Sequence, residues 1–78
     1  MGKSRRATGF LFLICHGFTT SELSYVGDAR AVRAQCRDGV DRKRLREFIR
    51  ESEVGDVLWA RDTEGDTLHI VRLGVVWL

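Results

Sequence analysis

An uninterrupted apolar run, Gly9-Phe10-Leu11-Phe12-Leu13-Ile14-Cys15, dominates the first quarter of the chain. It is too short for a typical helix and carries no 3.6-residue period. A run of this kind reads as a strand buried on both faces and central in its sheet. From Glu53 onward the apolar period is two. Val54-Gly55 is a turn, and Asp56 to Asp62 reads as a strand. On it Val57, Trp59 and Arg61 face one side, and Leu58 and Ala60 the other. Thr63-Glu64-Gly65-Asp66 reads as a hairpin loop. Thr67 to Leu73 returns, with Leu68 and Ile70 on one face and His69 and Val71 on the other. Gly74 is expected to bend the chain before a short last strand, Val75 to Leu78.

Between these ends the pattern turns helical. Residues 16–27 are expected to form a loop punctuated by Gly17 and Gly27. Asp28 is a good N-cap for a helix from Ala29 to Arg37, with Gly39 closing it in a left-handed conformation. The alternation Arg30-Val32-Ala34-Cys36 also permits a strand there. A second helix, expected to be capped by Asp41, buries Leu45, Phe48 and Ile49, with Val40 and Leu45 at the two positions of a hydrophobic staple. It ends near Ser52. The expectation is an α+β fold of order β-α-α-β-β-β. It comprises an antiparallel sheet of about four strands with two helices on one face. Residues 1–7 read as a disordered basic start and 8–78 as one domain.

Composition bounds the function classes. A chain of 78 residues buries only about 60% of the surface its unfolded form exposes, so the core is small. Hydrophobic content of 44% and charged content of 31% are globular values. Lys3, Arg5 and Arg6 ahead of the apolar run mimic a signal peptide, but His16-Gly17-Phe18-Thr19 is a poor cleavage site. No apolar run approaches the roughly 18 residues of a membrane span. A cytoplasmic location is expected ahead of secretion, with no membrane association. There Cys15 and Cys36 are expected to be reduced and partly buried rather than paired.

Catalytic chemistry finds little footing. Cys15, His16, Cys36 and His69 are the soft metal ligands, and they lack the close-pair spacing of structural zinc. Cys15 or Cys36 with His69 could form a thiolate–imidazolium pair, but no signature surrounds either cysteine. Asp56, Asp62, Glu64 and Asp66 cluster at the proposed hairpin, where acids solubilise a turn. No catalytic residue, metal or cofactor is expected.

The basic helix is more informative. Arg42, Lys43 and Arg44 crowd the first turn, the positive pole of the helix dipole, where acids are favoured. Arg42, Arg46 and Arg50 line the outside, and Arg33 belongs to a similar row, Arg30-Arg33-Arg37, on the first helix. An anion such as a phosphate at this helix start would satisfy the bases and the free N–H groups together. The bland alternative is a solvated arginine-rich face offset by Glu47, Glu51 and Glu53. Trp59 is placed to stack a base. Trp77 and Val75, on the apolar chain end Val75-Val76-Trp77-Leu78, are placed to form a protein interface, including a homodimer through that strand.

Residues 53–74 also carry a resemblance. Glu53-Val54-Gly55-Asp56-Val57-Leu58-Trp59-Ala60-Arg61-Asp62, then Gly65-Asp66, then His69-Ile70-Val71-Arg72-Leu73-Gly74 resembles the helix-to-barrel junction of PUA-like and SH3-like small β-barrels. The preceding Arg42–Arg50 helix is similar to one found in such modules accompanying bacterial restriction-type endonucleases. The resemblance implies a small barrel and recognition of nucleic acid. Two functions are therefore expected in competition. One is a non-enzymatic module binding nucleic acid through Arg42, Lys43, Arg46, Arg50, Arg33 and Trp59. The other is a protein-binding inhibitor or regulator, of the phage-encoded or toxin–antitoxin type, acting on an acidic protein surface or through Trp77 and Val75.

Overall fold

A computed structural model describes residues 7–18 and 24–77, with the side chains of 7–9 and 75–77 outside that description. In chain order the elements are β1 (Ala7–His16), β2 (Tyr25–Asp28), α1 (Ala29–Gln35), α2 (Val40–Glu51), β3 (Val57–Arg61) and β4 (Thr67–Trp77). The strands form one antiparallel sheet in the order β2-β1-β4-β3. The α+β class, the four strands and the central place of the Gly9–Cys15 run are as expected. The expected irregular start lies outside the described residues except for Ala7, which opens β1.

The order along the chain differs from expectation. It is β-β-α-α-β-β, because the end of the presumed 16–27 loop is β2, whose residues pair with Leu11 to Ile14. Four residues are too few to display a period. Gly27 reads as punctuation but serves close packing: a Cβ there would lie 2.7 Å from the Ala31 Cβ and 3.0 Å from Ile14 Cδ1. The separate last strand also disappears. Gly74 sits opposite Leu11 beside a register shift between Leu11 and Phe12, and that irregularity lets β4 run on to Trp77. The barrel implied by the PUA-like and SH3-like resemblance is not formed. β2 and β3 are the two edges of an open sheet, so the resemblance does not extend to the fold.

The helices sit close to their expected places with different ends. Asp28 caps α1 by accepting the Ala31 N–H at 3.0 Å. The helix stops at Gln35, short of Arg37, because Cys36 turns extended and bridges to Asp62. Gly39, with φ of 94°, precedes α2 rather than closing α1, and it takes the cap position expected of Asp41. Val40 is 73% exposed, so no staple forms.

Directly opposed residues of antiparallel strands share a face, so the register divides the side chains into two layers. One layer carries Phe12, Ile14, Leu58, Ala60, Leu68 and Ile70. It packs against Val32 of α1 and Cys36 just after it, and against Leu45, Phe48 and Ile49 of α2. Each of the large side chains in it contributes roughly 1.5–3 kcal/mol by leaving water. Arg72 belongs to this layer, opposite Phe12, and is buried. Its Nη1 donates to the Ser52 carbonyl at 2.7 Å and to Ser52 Oγ at 2.9 Å. Its guanidinium lies 3.9 Å from the centroid of the Phe10 ring. No carboxylate pairs with it among the described residues. The negative pole of α2 and the ring face stand in for one.

Candidate functional site

The basic row on α2 is tied down in part. Arg42 Nη2 lies 3.1 Å from Asp38 Oδ1 and donates to the Cys36 carbonyl at 3.0 Å. Asp41, buried in the first turn, holds Arg37 at 2.9 Å and Arg44 at 3.4 Å. Arg50 meets Glu51 at 3.4 Å, both well exposed, which contributes little. The helix start therefore has its own carboxylates, and the dipole mismatch expected there is met from within the chain. Arg30, Arg33, Lys43 and Arg46 are exposed and have no ion pair among the described residues.

Trp59 is not with Arg42, Lys43, Arg46 and Arg50. It stands opposite His69, on the sheet face away from the helices. That second layer carries Leu11, Leu13 and Cys15 from β1, Val26 from β2, His69 and Val71 from β4, and Val57, Trp59 and Arg61 from β3. No helix among the described residues covers it. Val26, Val57 and Trp59 are about half exposed, and Leu11, Leu13 and Val71 partly so. Phe18, 75% exposed, leans over Trp59 with ring centroids 6.2 Å apart. The result is an apolar sheet face bordered at the β3 edge by two aromatic rings.

The structure brings Cys15 and His69 opposite each other but shows no thiol–imidazole hydrogen bond among the described residues. Cys15 is fully buried opposite His69. The His69 ring is engaged elsewhere: Nδ1–H donates to the Gly17 carbonyl at 2.9 Å, and the ring stacks on Trp59 at 4.5 Å. Burial and the nearby Asp41 push the Cys36 thiol above its ordinary pKa, against smaller opposing effects of Arg42 and Arg37. Both cysteines are free. Among the described residues no cluster of metal-ligating side chains occurs, and no helix is long and apolar enough to cross a membrane.

The acids at the hairpin are partly structural. Asp62 Oδ1 accepts the Glu64 and Asp66 N–H groups, both at 2.9 Å, and Oδ2 lies 3.4 Å from His16 Nδ1. A cleft of about 780 Å³ opens beside this pair, lined by His16, Tyr25, Gln35, Asp62, Glu64 and Asp66. A smaller groove of about 270 Å³ straddles the free edge of β3 between Phe18 and Trp59 on one side and Ala60, Asp41 and Arg44 on the other, with Arg61 at its end.

The side chains of Trp77 and Val75, expected at a protein interface, lie outside the described residues. Phe18 and Val26 both fall in the loop expected from the sequence, where Leu23, Tyr25 and Val26 read as residues that pin it down rather than as part of a binding face. The apolar pair Tyr25-Val26 was the available signal. Comparison with known protein families, with curated proteins and with solved structures returned no match.

Proposed function

We propose that this chain is a non-enzymatic binding module that engages a partner protein through the uncovered face of its sheet. The observation that carries the reading is the apolar second layer, Leu11, Leu13, Val26, Val57, Trp59 and Val71, over which no helix lies among the described residues. Four strands at about 4.8 Å spacing and about five residues at about 3.3 Å give a patch on the order of 300 Å². Patches of that size on small proteins are often functional. It is well under the roughly 800 Å² per partner of a stable interface. The face therefore suits one element of a partner rather than a broad surface.

A second reading has its own observation. Arg30, Arg33, Lys43 and Arg46 are exposed cations without carboxylate partners among the described residues, and nucleic acid would be bound on that side. The two readings separate in one experiment. Affinity capture from the native host uses the wild type, a face variant (Val26→Glu with Val57→Glu) and a basic-side variant (Arg33→Ala, Lys43→Ala and Arg46→Ala). One stoichiometric protein retained by the basic-side variant and lost by the face variant supports the first reading. Nucleic acid retained by the face variant, with a log–log salt slope of about −3 to −4 for four phosphate contacts, replaces it with the second.

A further inference from the structure

We infer that the partner element is an extended peptide segment that adds as a fifth strand to the edge of β3, with apolar and acidic side chains in alternation. This deepens the reading of the chain as a protein-binding module and rests on it. The first support is the backbone register. Arg72 N–H donates to the Asp56 carbonyl at 2.9 Å, and Asp62 N–H donates to the Asp66 carbonyl at 2.8 Å. Those bonds fix the alternation, so residues 58 and 60 bond to β4. The N–H and C=O groups of Val57, Trp59 and Arg61 point away from it. β3 is an edge of the sheet. Of these outward groups the Arg61 carbonyl is taken, by the Arg37 N–H at 2.9 Å. The N–H and C=O groups of Val57 and Trp59 have no partner among the described residues. An unpaired row of this kind is a template for another strand.

The second support is the groove that straddles the same edge. A strand laid there would point its side chains alternately to the two sheet faces. On the open face they would meet Val57 and then the paired rings of Trp59 and Phe18. On the helix face they would meet Ala60 and Arg44. The charges of the groove favour an acidic partner. Asp41 is already shared by Arg37 and Arg44. The helix side therefore carries one positive charge beyond its carboxylate, at Arg44, where the alternating acidic side chains of the peptide would lie. The other edge strand, β2, is a less suitable site. It has four residues and runs directly into α1, and the cleft beside its Tyr25 is lined by Asp62, Glu64 and Asp66, which would repel an acidic strand.

The test uses short synthetic peptides that alternate phenylalanine or valine with glutamate. Each is paired with a copy N-methylated at every second amide, in both phases, so that one copy cannot bond to the edge. Backbone amide exchange of the full chain is followed by NMR. At a free peptide concentration about ten times Kd, exchange of the Val57 and Trp59 amides should slow by about tenfold. The copy methylated on the bonding amides should give no such slowing. Arg44→Gln should weaken binding roughly two- to fivefold, and replacing the peptide glutamates by glutamine should abolish that difference. Unchanged exchange at Val57 and Trp59 in the presence of bound peptide would overturn strand addition while leaving the face reading standing. So would equal binding of both methylated copies. Absence of binding by every peptide in the set also overturns it. Protection of the same amides that grows with protein concentration alone assigns the edge to a second copy of this chain and overturns the peptide partner. Loss of face-dependent capture in the preceding experiment removes the broader reading itself.

Discussion

At the scale of single residues, Asp62 combines two tasks. Its Oδ1 holds the hairpin turn through two N–H donors, and its Oδ2 faces His16 across to the end of β1. Burial alone would raise its pKa. The bonds from Asp66 and Glu64 and the neighbouring His16 outweigh that and hold it below its ordinary value of 3.8. A carboxyl with a depressed folded pKa stabilises the protein above its unfolded pKa, and that contribution is lost as pH falls through the folded value. Acid titration followed by circular dichroism should therefore show stability declining below about pH 4, and Asp62→Asn should flatten that decline. An unchanged acid slope in the variant would remove Asp62 from the account. Cys36 makes a second case. Its thiol is buried and its pKa raised, so Ellman's reagent at pH 8 should label it no faster than the protein unfolds. Prompt labelling of native protein would contradict that burial. Neither effect was legible in the sequence. Both depend on groups brought together from distant positions, His16 to Asp62 and Asp41 to Cys36.

At the scale of elements, β3 and β4 were legible because their side chains alternate cleanly, and α1 because Asp28 is a strong cap. β2 was not, since its evidence is a fit between surfaces rather than a pattern. Gly27 carries that fit. Gly27→Ala should cost about 1–3 kcal/mol as the new methyl group meets Ala31 and Ile14. Asp28→Ala, one residue on, should cost about 1 kcal/mol by removing the cap alone. Urea unfolding of the two variants measures both. A Gly27→Ala variant as stable as the wild type would mean that β2 and α1 sit further apart than described. Asp41 gives the converse lesson. Its position in the sequence suits a cap, but Gly39 with its positive φ turns the chain first. That leaves Asp41 free to bind Arg37 and Arg44. The cationic row was visible in the sequence. The part played by Asp38 and Asp41 in neutralising Arg42 and Arg44 was not, because i to i+4 partners across a helix boundary depend on where the helix begins.

At the scale of the whole molecule, alternation along a strand says which residues share a face but not whether anything covers that face. Val57, Val71 and Leu13 would read the same under a helix as they do in the open. This is why the opposed faces of β3 and β4 were legible and the uncovered layer was not. The two helices suffice for one side of the sheet, and residues 24–77 contain no further helix for the other. One small contact then acquires a larger meaning. The connection between α1 and α2 is stitched to the hairpin by the Arg37 N–H on the Arg61 carbonyl and by the Cys36–Asp62 bridge. That stitch joins the helical layer to the far edge of the sheet. The helices and the β3–β4 hairpin should therefore open as one cooperative unit. In native-state exchange under rising denaturant, the Arg37 amide and the Arg72 amide should converge on a common opening free energy. Two separate isotherms would show the layers to melt independently.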